Sequence, residues 1–393
     1  MRVSLSHRHM MRNGFGMGWR RDRYQEIRIL ALTGMLALTG CGDFFVPPDK
    51  SGGGGGGGTG TARVYVANAT TGSIAGFTIG TGKLTAVPNS PVALGFAPVA
   101  VVVSPNNGYL YVAGSTSINV YAINTDGSLT AKNNGVLISV ASLDVSPDGK
   151  WLFGLDLIQN IVDEFQIDAS SGGLTPVATP GYDALNGNIV PQMVKVSPLG
   201  NLVFCALGTG GDRVFTLDTA TGTLKYSGQA LTFDSATTSD NALAVDSTGS
   251  YLYIARSGTN GGVAAYSIGA GGVLNAIAGS PFRAGSRPFS ILLDKTGKYL
   301  YVANRTDSTV SGYSIGTGSA LTAVSGSPFS SGQQVNTLGL DPGGTYLLAG
   351  ANGGNPDLSM YSFDASSPGK LNLATSAATD TDPAGVVAIA VTH

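Results

Sequence analysis

The sequence predicts an all-β fold, a seven-bladed β-propeller closed by strands from both ends of the chain. Three observations predict it: a glycine-rich composition, a strand pattern repeated seven times, and a final segment that supplies the strand missing from the first repeat. Of 393 residues, 58 are Gly, only 12% are charged, and Glu occurs only twice. This composition favours short strands and tight turns over helices, which are rich in Ala, Leu, Glu and Lys.

A short apolar segment containing aromatic and small residues recurs throughout the chain after residue 62. Its seven copies are 63–68, 109–114, 151–156, 202–206, 251–256, 299–304 and 346–350. Their first residues lie 46, 42, 51, 49, 48 and 47 positions apart. Because about 47 residues suit one blade of four short strands, we predict a single propeller domain over residues 63–393.

Each repeat has the same internal order, with strands labelled a to d from the hub outward. An a strand such as 99–103 leads into a turn that begins with Ser or Asp, for example Ser104 or Asp294. The side-chain oxygen at that position accepts hydrogen bonds from the turn backbone. The aromatic b strand follows, then a c strand such as 310–315 and a d strand such as 321–324. Apolar residues alternate with small polar ones, which indicates strands.

The first repeat opens at its b strand and lacks an a strand. The chain ends instead in the apolar segment 385–392, which matches an a strand. We predict that this segment completes the sheet begun by residues 63–92, because pairing the two chain ends removes open sheet edges.

Residues 1–40 are predicted to be an export signal with a lipobox. Five Arg lie within residues 12–28, and an apolar run follows over 29–38. Such a run is too short to span a membrane, which takes about 20 residues. It ends at Leu38-Thr39-Gly40-Cys41, which resembles a bacterial lipobox and predicts lipidation of Cys41. The alternative is a chance cysteine after an ordinary signal peptide.

Residues 41–62 are predicted to be a flexible tether, because they contain seven consecutive Gly. A lipid at Cys41 then holds the domain at a membrane of the cell envelope. Gly42 in place of Asp favours the outer membrane, on its periplasmic or surface side. The second cysteine, Cys205, lies in an apolar strand and is predicted to be a small buried hydrophobe.

Charge and motif content restrict the partners. The leader carries seven Arg and two acidic residues, which leaves 15 basic and 22 acidic residues and a net charge of −7. Nucleic-acid binders show basic patches, so no nucleic-acid partner is expected. No zinc-type Cys/His spacing, phosphate-binding Gly loop or Gly-x-Ser-x-Gly elbow stands in a suitable context, so no metal and no cofactor are expected. We expect a monomer.

Three segments carry a family resemblance: Tyr299-Leu-Tyr-Val-Ala-Asn304, Leu321-Thr-Ala-Val-Ser-Gly-Ser-Pro-Phe329 and Asp341-Pro-Gly-Gly344. They resemble the YVTN-type, lactonase-like seven-bladed propellers, which include bacterial 6-phosphogluconolactonases and fungal muconate-lactonising enzymes. The resemblance covers about residues 63–393. It implies His, Arg and Glu at the mouth of the central channel.

This sequence departs from that family pattern. The corresponding stretches, Ser286-Arg287-Pro288-Phe289 and Asn304-Arg305, retain Arg but lack His and Glu. A lactone hydrolase needs a base that activates water, usually His or Glu. Here only an Asp can take that role.

The candidate anion site consists of three Arg. The b–c and d–a loops of a propeller share one face, where Arg256 and Arg305 end two b strands and Arg287 precedes the a strand between them. Guanidinium groups bind carboxylate or phosphate in a bidentate manner. The alternative is three solvated or singly paired side chains, with Asp307 or Asp240 as partners.

Further charged residues complete the set of candidates. Asp156, Asp240 and Asp382 lie at or near the same face and are the candidate bases. Asp144 and Lys195 share one register in consecutive a strands, which predicts an ion pair between blades. A catalytic Lys–Asp pair is the alternative.

Three functions follow. The main prediction is a membrane-tethered binding module for an envelope protein, a glycan or a small anion. The alternative is a lactonase-like hydrolase of a sugar lactone, with Arg holding the anion and Asp as base. A purely structural surface protein is the third. The lack of His and Glu at the mouth favours the first.

Overall fold

The computed structural model describes residues 61–177, 189–233 and 237–393. The predicted export signal, Cys41 and the glycine-rich run lie outside these residues. Within them, the helical segments are two short 3₁₀ turns, Ala270–Gly272 and Thr317–Ser319. No helix in the described part of the chain has the length and apolar character to cross a membrane.

Thirty strands in the described residues form seven antiparallel sheets, one for each predicted repeat. Blade 1 comprises β1 (Arg63–Asn68), β2 (Ser73–Gly80), β3 (Lys83–Ala86), β4 (Val92–Ala93) and β30 (Val386–Val391). Blade 2 comprises β5 (Pro98–Val103), β6 (Tyr109–Gly114), β7 (Ile118–Ile123) and β8 (Leu129–Val136). Blade 3 comprises β9 (Val140–Val145), β10 (Trp151–Asp156), β11 (Val162–Ile167) and β12 (Leu174–Pro176).

The remaining four blades follow the same order. Blade 4 comprises β13 (Met193–Val196), β14 (Leu202–Ala206), β15 (Asp212–Leu217) and β16 (Leu224–Leu231). Blade 5 comprises β17 (Ser239–Val245), β18 (Tyr251–Ser257), β19 (Gly262–Ile268) and β20 (Leu274–Ala276). Blade 6 comprises β21 (Pro288–Leu293), β22 (Tyr299–Asn304), β23 (Thr309–Ile315), β24 (Leu321–Ala323) and β25 (Phe329–Ser330). Blade 7 comprises β26 (Val335–Leu340), β27 (Tyr346–Ala351), β28 (Leu358–Phe363) and β29 (Leu371–Ala377).

The predicted closure of the ring is confirmed. The C-terminal β30 pairs antiparallel with β1, with Val66 opposite Ile389. The innermost strands then contact each other in a closed cycle, from β30 through β5, β9, β13, β17, β21 and β26 back to β30. The predicted seven-bladed propeller is therefore confirmed, with the first and last strands of the described residues in one sheet.

Aromatic residues of the b strands join neighbouring blades. The hydroxyl of the buried Tyr65 donates to the carbonyl of Gly127 in blade 2 at 2.8 Å, and Tyr301 makes the same bond to Gly369 of blade 7. Each ring thus fills the space between two sheets while its polar end keeps a partner.

Candidate functional site

One side of the ring carries the last residues of the b strands and the first residues of the a strands, and we call it the mouth face. The two kinds of strand end meet there because the strands are antiparallel, so that Asp240 of β17 lies opposite Arg256 of β18. Nearly all the predicted site residues lie at this face. Asp144 and Lys195, near the other ends of β9 and β13, do not.

Asp240 and Arg256 form a buried, bidentate ion pair. Arg256 Nε lies 2.6 Å from Asp240 Oδ1, and Arg256 Nη2 lies 2.7 Å from Oδ2. Asp240 is fully buried and Arg256 is 9% exposed. The guanidinium carbon lies 4.8 Å from the ring centre of Phe233, and the Tyr266 hydroxyl lies 3.5 Å from Nη2. Asp240, the Tyr266 hydroxyl and the Phe233 ring hold this guanidinium in one orientation.

A second carboxyl group, Asp212, lies beside Asp240. It opens β15 in blade 4, and the backbone of Gly208 exchanges hydrogen bonds of 3.2 and 3.3 Å with Asp240, which draws the two blades together. Asp212 is 3% exposed, and neither carboxyl oxygen accepts a hydrogen bond from the described residues. Burial, and next the charge of Asp240, raise the pKa of Asp212 well above its usual range.

The strand register shows how unusual these two carboxyl groups are. The position of Asp212 is filled in the other six blades by fully buried apolar residues: Ile74, Ile118, Val162, Val263, Val310 and Leu358. The position of Asp240 is filled in five other blades by apolar residues: Pro98, Val140, Pro288, Val335 and Val386. Two acidic residues therefore occupy adjoining positions that hold hydrophobic side chains in other blades.

Arg287 and Arg305 meet around one ring in blade 6. Their guanidinium carbons lie 5.7 and 4.9 Å from the ring centre of the buried Phe289. Arg287 is exposed, whereas Arg305 is buried, and the Arg305 amide donates to the Arg287 carbonyl at 3.0 Å. Asp307, two residues further on, is exposed and accepts from the Ser286 amide at 2.6 Å.

The three predicted Arg thus occupy two adjoining blades in different ways. Arg287 and Arg305 both contact the ring of Phe289. Arg256 instead pairs with Asp240, one of the two partners that the sequence analysis named for the alternative of singly paired side chains. The two groups are joined through Asn241, whose side-chain amide donates to the Pro288 carbonyl at 2.7 Å. Asn241 follows Asp240, and Pro288 follows Arg287.

Of the three candidate bases, only Asp240 lies beside a candidate Arg. Asp156 is buried in blade 3, where its Oδ1 accepts from the Ile158 and Gln159 amides. Its neighbour Asp163 has a pKa raised to about 7 by burial and by the Asp156 charge. Asp382 is exposed and accepts from the Asn355 amide at 2.9 Å, where blade 7 meets the closing strand.

Asp144 and Lys195 meet between blades 3 and 4. Lys195 Nζ lies 3.8 Å from Asp144 Oδ2, which also accepts from the Val196 amide at 2.7 Å. Burial raises the pKa of Asp144, and the Lys195 charge opposes that shift. The two side chains are buried and far along their strands from the mouth face, a placement that suits a tie between blades.

The one His and the one Glu after residue 62 take structural positions. Burial lowers the pKa of His393 to about 4, and its backbone amide donates to Asn107 Oδ1 at 2.7 Å. Glu164 of blade 3 is buried, and its Oε1 accepts from the Leu224 amide of blade 4 at 2.9 Å. Neither side chain serves the mouth face as a base.

Sequence reasoning missed Asp212, Phe233 and Tyr266. The last two are aromatic residues in strand-rich sequence, with no local signal of a role. Asp212 carries a signal that an alignment of the seven c strands reveals, because it alone is charged at its position. No cluster of three or more His, Cys, Asp or Glu suited to a metal ion occurs in the described ranges.

Fold and site together define a seven-bladed β-propeller with a charged sector on the mouth face of blades 4 to 6. Residues 213–385 match the sequence model of a family described as "Lactonase, 7-bladed beta-propeller". The resemblance predicted from the sequence is therefore confirmed. No curated protein matches the chain.

Solved structures agree in fold. A Pseudomonas aeruginosa periplasmic gluconolactonase is 18% identical, with a TM-score of 0.67, over 84% of this chain and 99% of its own. A Bacteroides uniformis protein described as a "putative 6-phosphogluconolactonase" is also 18% identical, with a TM-score of 0.72, over 85% of this chain and 100% of its own. At this identity the likeness concerns the fold.

Proposed function

We propose that this protein is a lactonase-like hydrolase that acts on an anionic sugar lactone at the mouth face of blades 5 and 6. This is the second of the functions that the sequence suggested. The observation that carries the proposal is the pair Arg287 and Arg305 around Phe289, with the exposed carboxylate of Asp307 on the neighbouring Ser286 amide. Arg256 adjoins this group through Asn241, which donates to Pro288. The lactonase family match and the 6-phosphogluconolactonase-like neighbours support the same reaction class.

In the proposed reaction, water attacks the lactone carbonyl carbon, the ring C–O bond breaks and a hydroxy acid leaves. Arg287 and Arg305 bind the anionic substituent, with Phe289 fixing their spacing. Arg256 uses Nε and Nη2 on Asp240 and turns its remaining edge to the carbonyl oxygen, where negative charge develops.

The base in this scheme is Asp307 rather than Asp240. Asp240 is fully buried and both its oxygens accept from Arg256, so water does not reach it. Asp307 is exposed, and its Oδ2 accepts from the Ser286 amide. Its carboxylate accepts the proton that the attacking water gives up.

Hydrolysis of a phosphorylated aldonolactone and of its unphosphorylated counterpart tests the proposal on the purified full chain, followed by acid release at constant pH. Arg287→Ala is expected to lower kcat/KM for the phosphorylated lactone about 10- to 100-fold, which corresponds to one lost charge-assisted hydrogen bond. The neutral lactone is expected to lose far less. Asp307→Asn is expected to lower kcat for both.

Lys225→Ala is the matched control, because Lys225 is exposed on the outer strand β16. It is expected to leave both rates unchanged. Equal loss in Arg287→Ala and Lys225→Ala would contradict the assigned anion site. Inertness toward all lactones, together with specific capture of an envelope protein or glycan, would instead favour the binding module.

The lipid anchor at Cys41 and the outer-membrane location remain part of the proposal. They rest on the lipobox-like segment and the glycine run of the sequence. An anchored lactonase acts on substrates of the envelope compartment.

A further inference from the structure

A buried acid occupies a hydrophobic position beside the Asp240–Arg256 pair. Asp212 is 3% exposed, and its two carboxyl oxygens accept no hydrogen bond from the described residues. Six other blades place Ile, Val or Leu at this position. An ionised carboxylate without a donor at such a site carries the full desolvation penalty of a buried ion. The fold tolerates Asp212 only if its charge is removed.

The neighbouring groups determine how the charge is removed. The titratable and charged groups that face Asp212 from its own and the adjoining strands are Cys205, Arg213, Asp240, Arg256 and Tyr266. Both oxygens of Asp240 already accept from Arg256. Two carboxyl groups in contact do not both ionise, and the less favoured member keeps a proton. Asp212 is that member, because the Arg256 fork selects Asp240 as the anion.

We propose that Asp212 and Asp240 share one proton at neutral pH, and that Asp212 acts through Asp240 as a positioning residue that fixes the Arg256 guanidinium at the mouth face. The protonated Asp212 donates a hydrogen bond to the ionised Asp240. This bond fixes the orientation of the Asp240 carboxylate and, through it, that of the Arg256 guanidinium. Loss of this proton places two like charges around one cation and turns Arg256 away from its position. The link to catalysis rests on the proposed lactonase function. The shared proton does not.

The shared proton is tested first by infrared difference spectroscopy of the full chain across a pH titration. At pH 7 the protonated carboxyl stretch of wild type is expected to exceed that of Asp212→Asn and Asp212→Val, while the part given by Asp163, whose pKa is raised to about 7, stays in all three proteins. The band lost in the variants, the Asp212 band, is expected to disappear in alkaline solution. Val is the residue of three other blades at this position, so Asp212→Val is expected to fold. Carboxyl bands of equal intensity in wild type and Asp212→Val at pH 7 overturn the proposal.

Thermal unfolding gives a second readout that is independent of activity. The folded pKa of Asp212 lies above its unfolded value, so the folded state binds the extra proton and loses stability as pH rises between the two values. The Tm of Asp212→Val is therefore expected to exceed that of wild type by a margin that widens above about pH 4. Asp168→Asn is the control of opposite sign, because hydrogen bonds from Ser170 and Ser171 lower the pKa of Asp168 to about 2. A margin that is independent of pH overturns the proposal.

The positioning role is read from the pH profile of lactone hydrolysis. Wild-type kcat/KM is expected to fall in alkaline solution at the pH where the infrared band disappears. Asp212→Asn, whose amide still donates to Asp240, is expected to keep activity and lose this limb, whereas Asp212→Val is expected to lose kcat at least about tenfold. A protein that shows the band and hydrolyses no lactone refutes the proposed function and leaves the shared proton established. An unchanged limb in Asp212→Asn overturns the positioning role.

Discussion

Two buried aspartates at the starts of c strands on the mouth face differ in their partners. Asp357, just before β28, is fully buried, and its oxygens accept from the Thr379 amide at 2.8 Å and the Ala384 amide at 3.0 Å. Asp212, at the start of β15, is almost as buried and accepts from no described group. Burial alone therefore does not separate a structural carboxylate from a functional one. The two carboxylates differ in the hydrogen bonds that they accept from neighbouring groups.

Asp357 serves the closure of the ring. Thr379, which it holds, donates through its hydroxyl to Asn68 Oδ1 in blade 1 at 2.8 Å, and Asn68 in turn donates to Ser73. This chain of bonds links the last complete blade to the first and to the closing strand β30. A satisfied network of this kind specifies one arrangement of the sheets.

The largest expected loss of stability concerns the Asp240–Arg256 ion pair beside Asp212. Arg256→Leu removes the cation bonded to the buried Asp240 and is expected to cost about 3–5 kcal/mol of unfolding free energy at neutral pH. Acidification is expected to restore part of this loss, because protonation neutralises both carboxyl groups. Urea unfolding at several pH values measures it.

The double variant Arg256→Leu with Asp240→Leu removes both charges of the pair and is expected to recover most of the stability. A loss below about 1 kcal/mol in Arg256→Leu would mean that the pair is exposed in solution.

A smaller loss is expected at the closure. Asp357→Ala leaves the Thr379 and Ala384 amides buried without acceptors and is expected to cost about 2–4 kcal/mol. Because these bonds join blade 7 to the closing segment, amide hydrogen exchange is expected to rise first in β30 and β1. Uniform exchange throughout the ring would argue against a local role in closure.

The smallest expected change in stability concerns Tyr111 and Tyr301, which occupy equivalent positions in the b strands of blades 2 and 6. The Tyr301 hydroxyl donates to Gly369, whereas the buried Tyr111 hydroxyl has no partner among the described residues. Tyr301→Phe is expected to cost about 1 kcal/mol, and Tyr111→Phe is expected to cost nothing or to stabilise the protein slightly. Equal losses in urea unfolding would show that the hydroxyl partners do not distinguish the two sites.

The candidate site was only partly predictable. Arg287 and Arg305, which flank strands of the same blade, lie around Phe289, while the anion site predicted for them stays a prediction. The partner of Arg256 stayed open between Asp307 and Asp240, since the sequence gives the ends of strands but not the direction of a long side chain. Asp212 was missed, because Gly211-Asp212-Arg213 resembles an ordinary polar turn and its burial arises from blade 5.

The sequence by itself determined the number of blades, the order of strands within each and the pairing of β30 with β1. The number of blades and the strand order depend on alternating apolar residues and on turn residues, and each of the seven repeats shows the same pattern. The pairing of β30 with β1 follows because the first repeat lacks an a strand and the last segment of the chain matches one. The tertiary structure decided which charged residues meet. Asp212 and Asp240 lie 28 positions apart in separate sheets, and only the angle between neighbouring blades brings two acids together where other blades bury hydrocarbon.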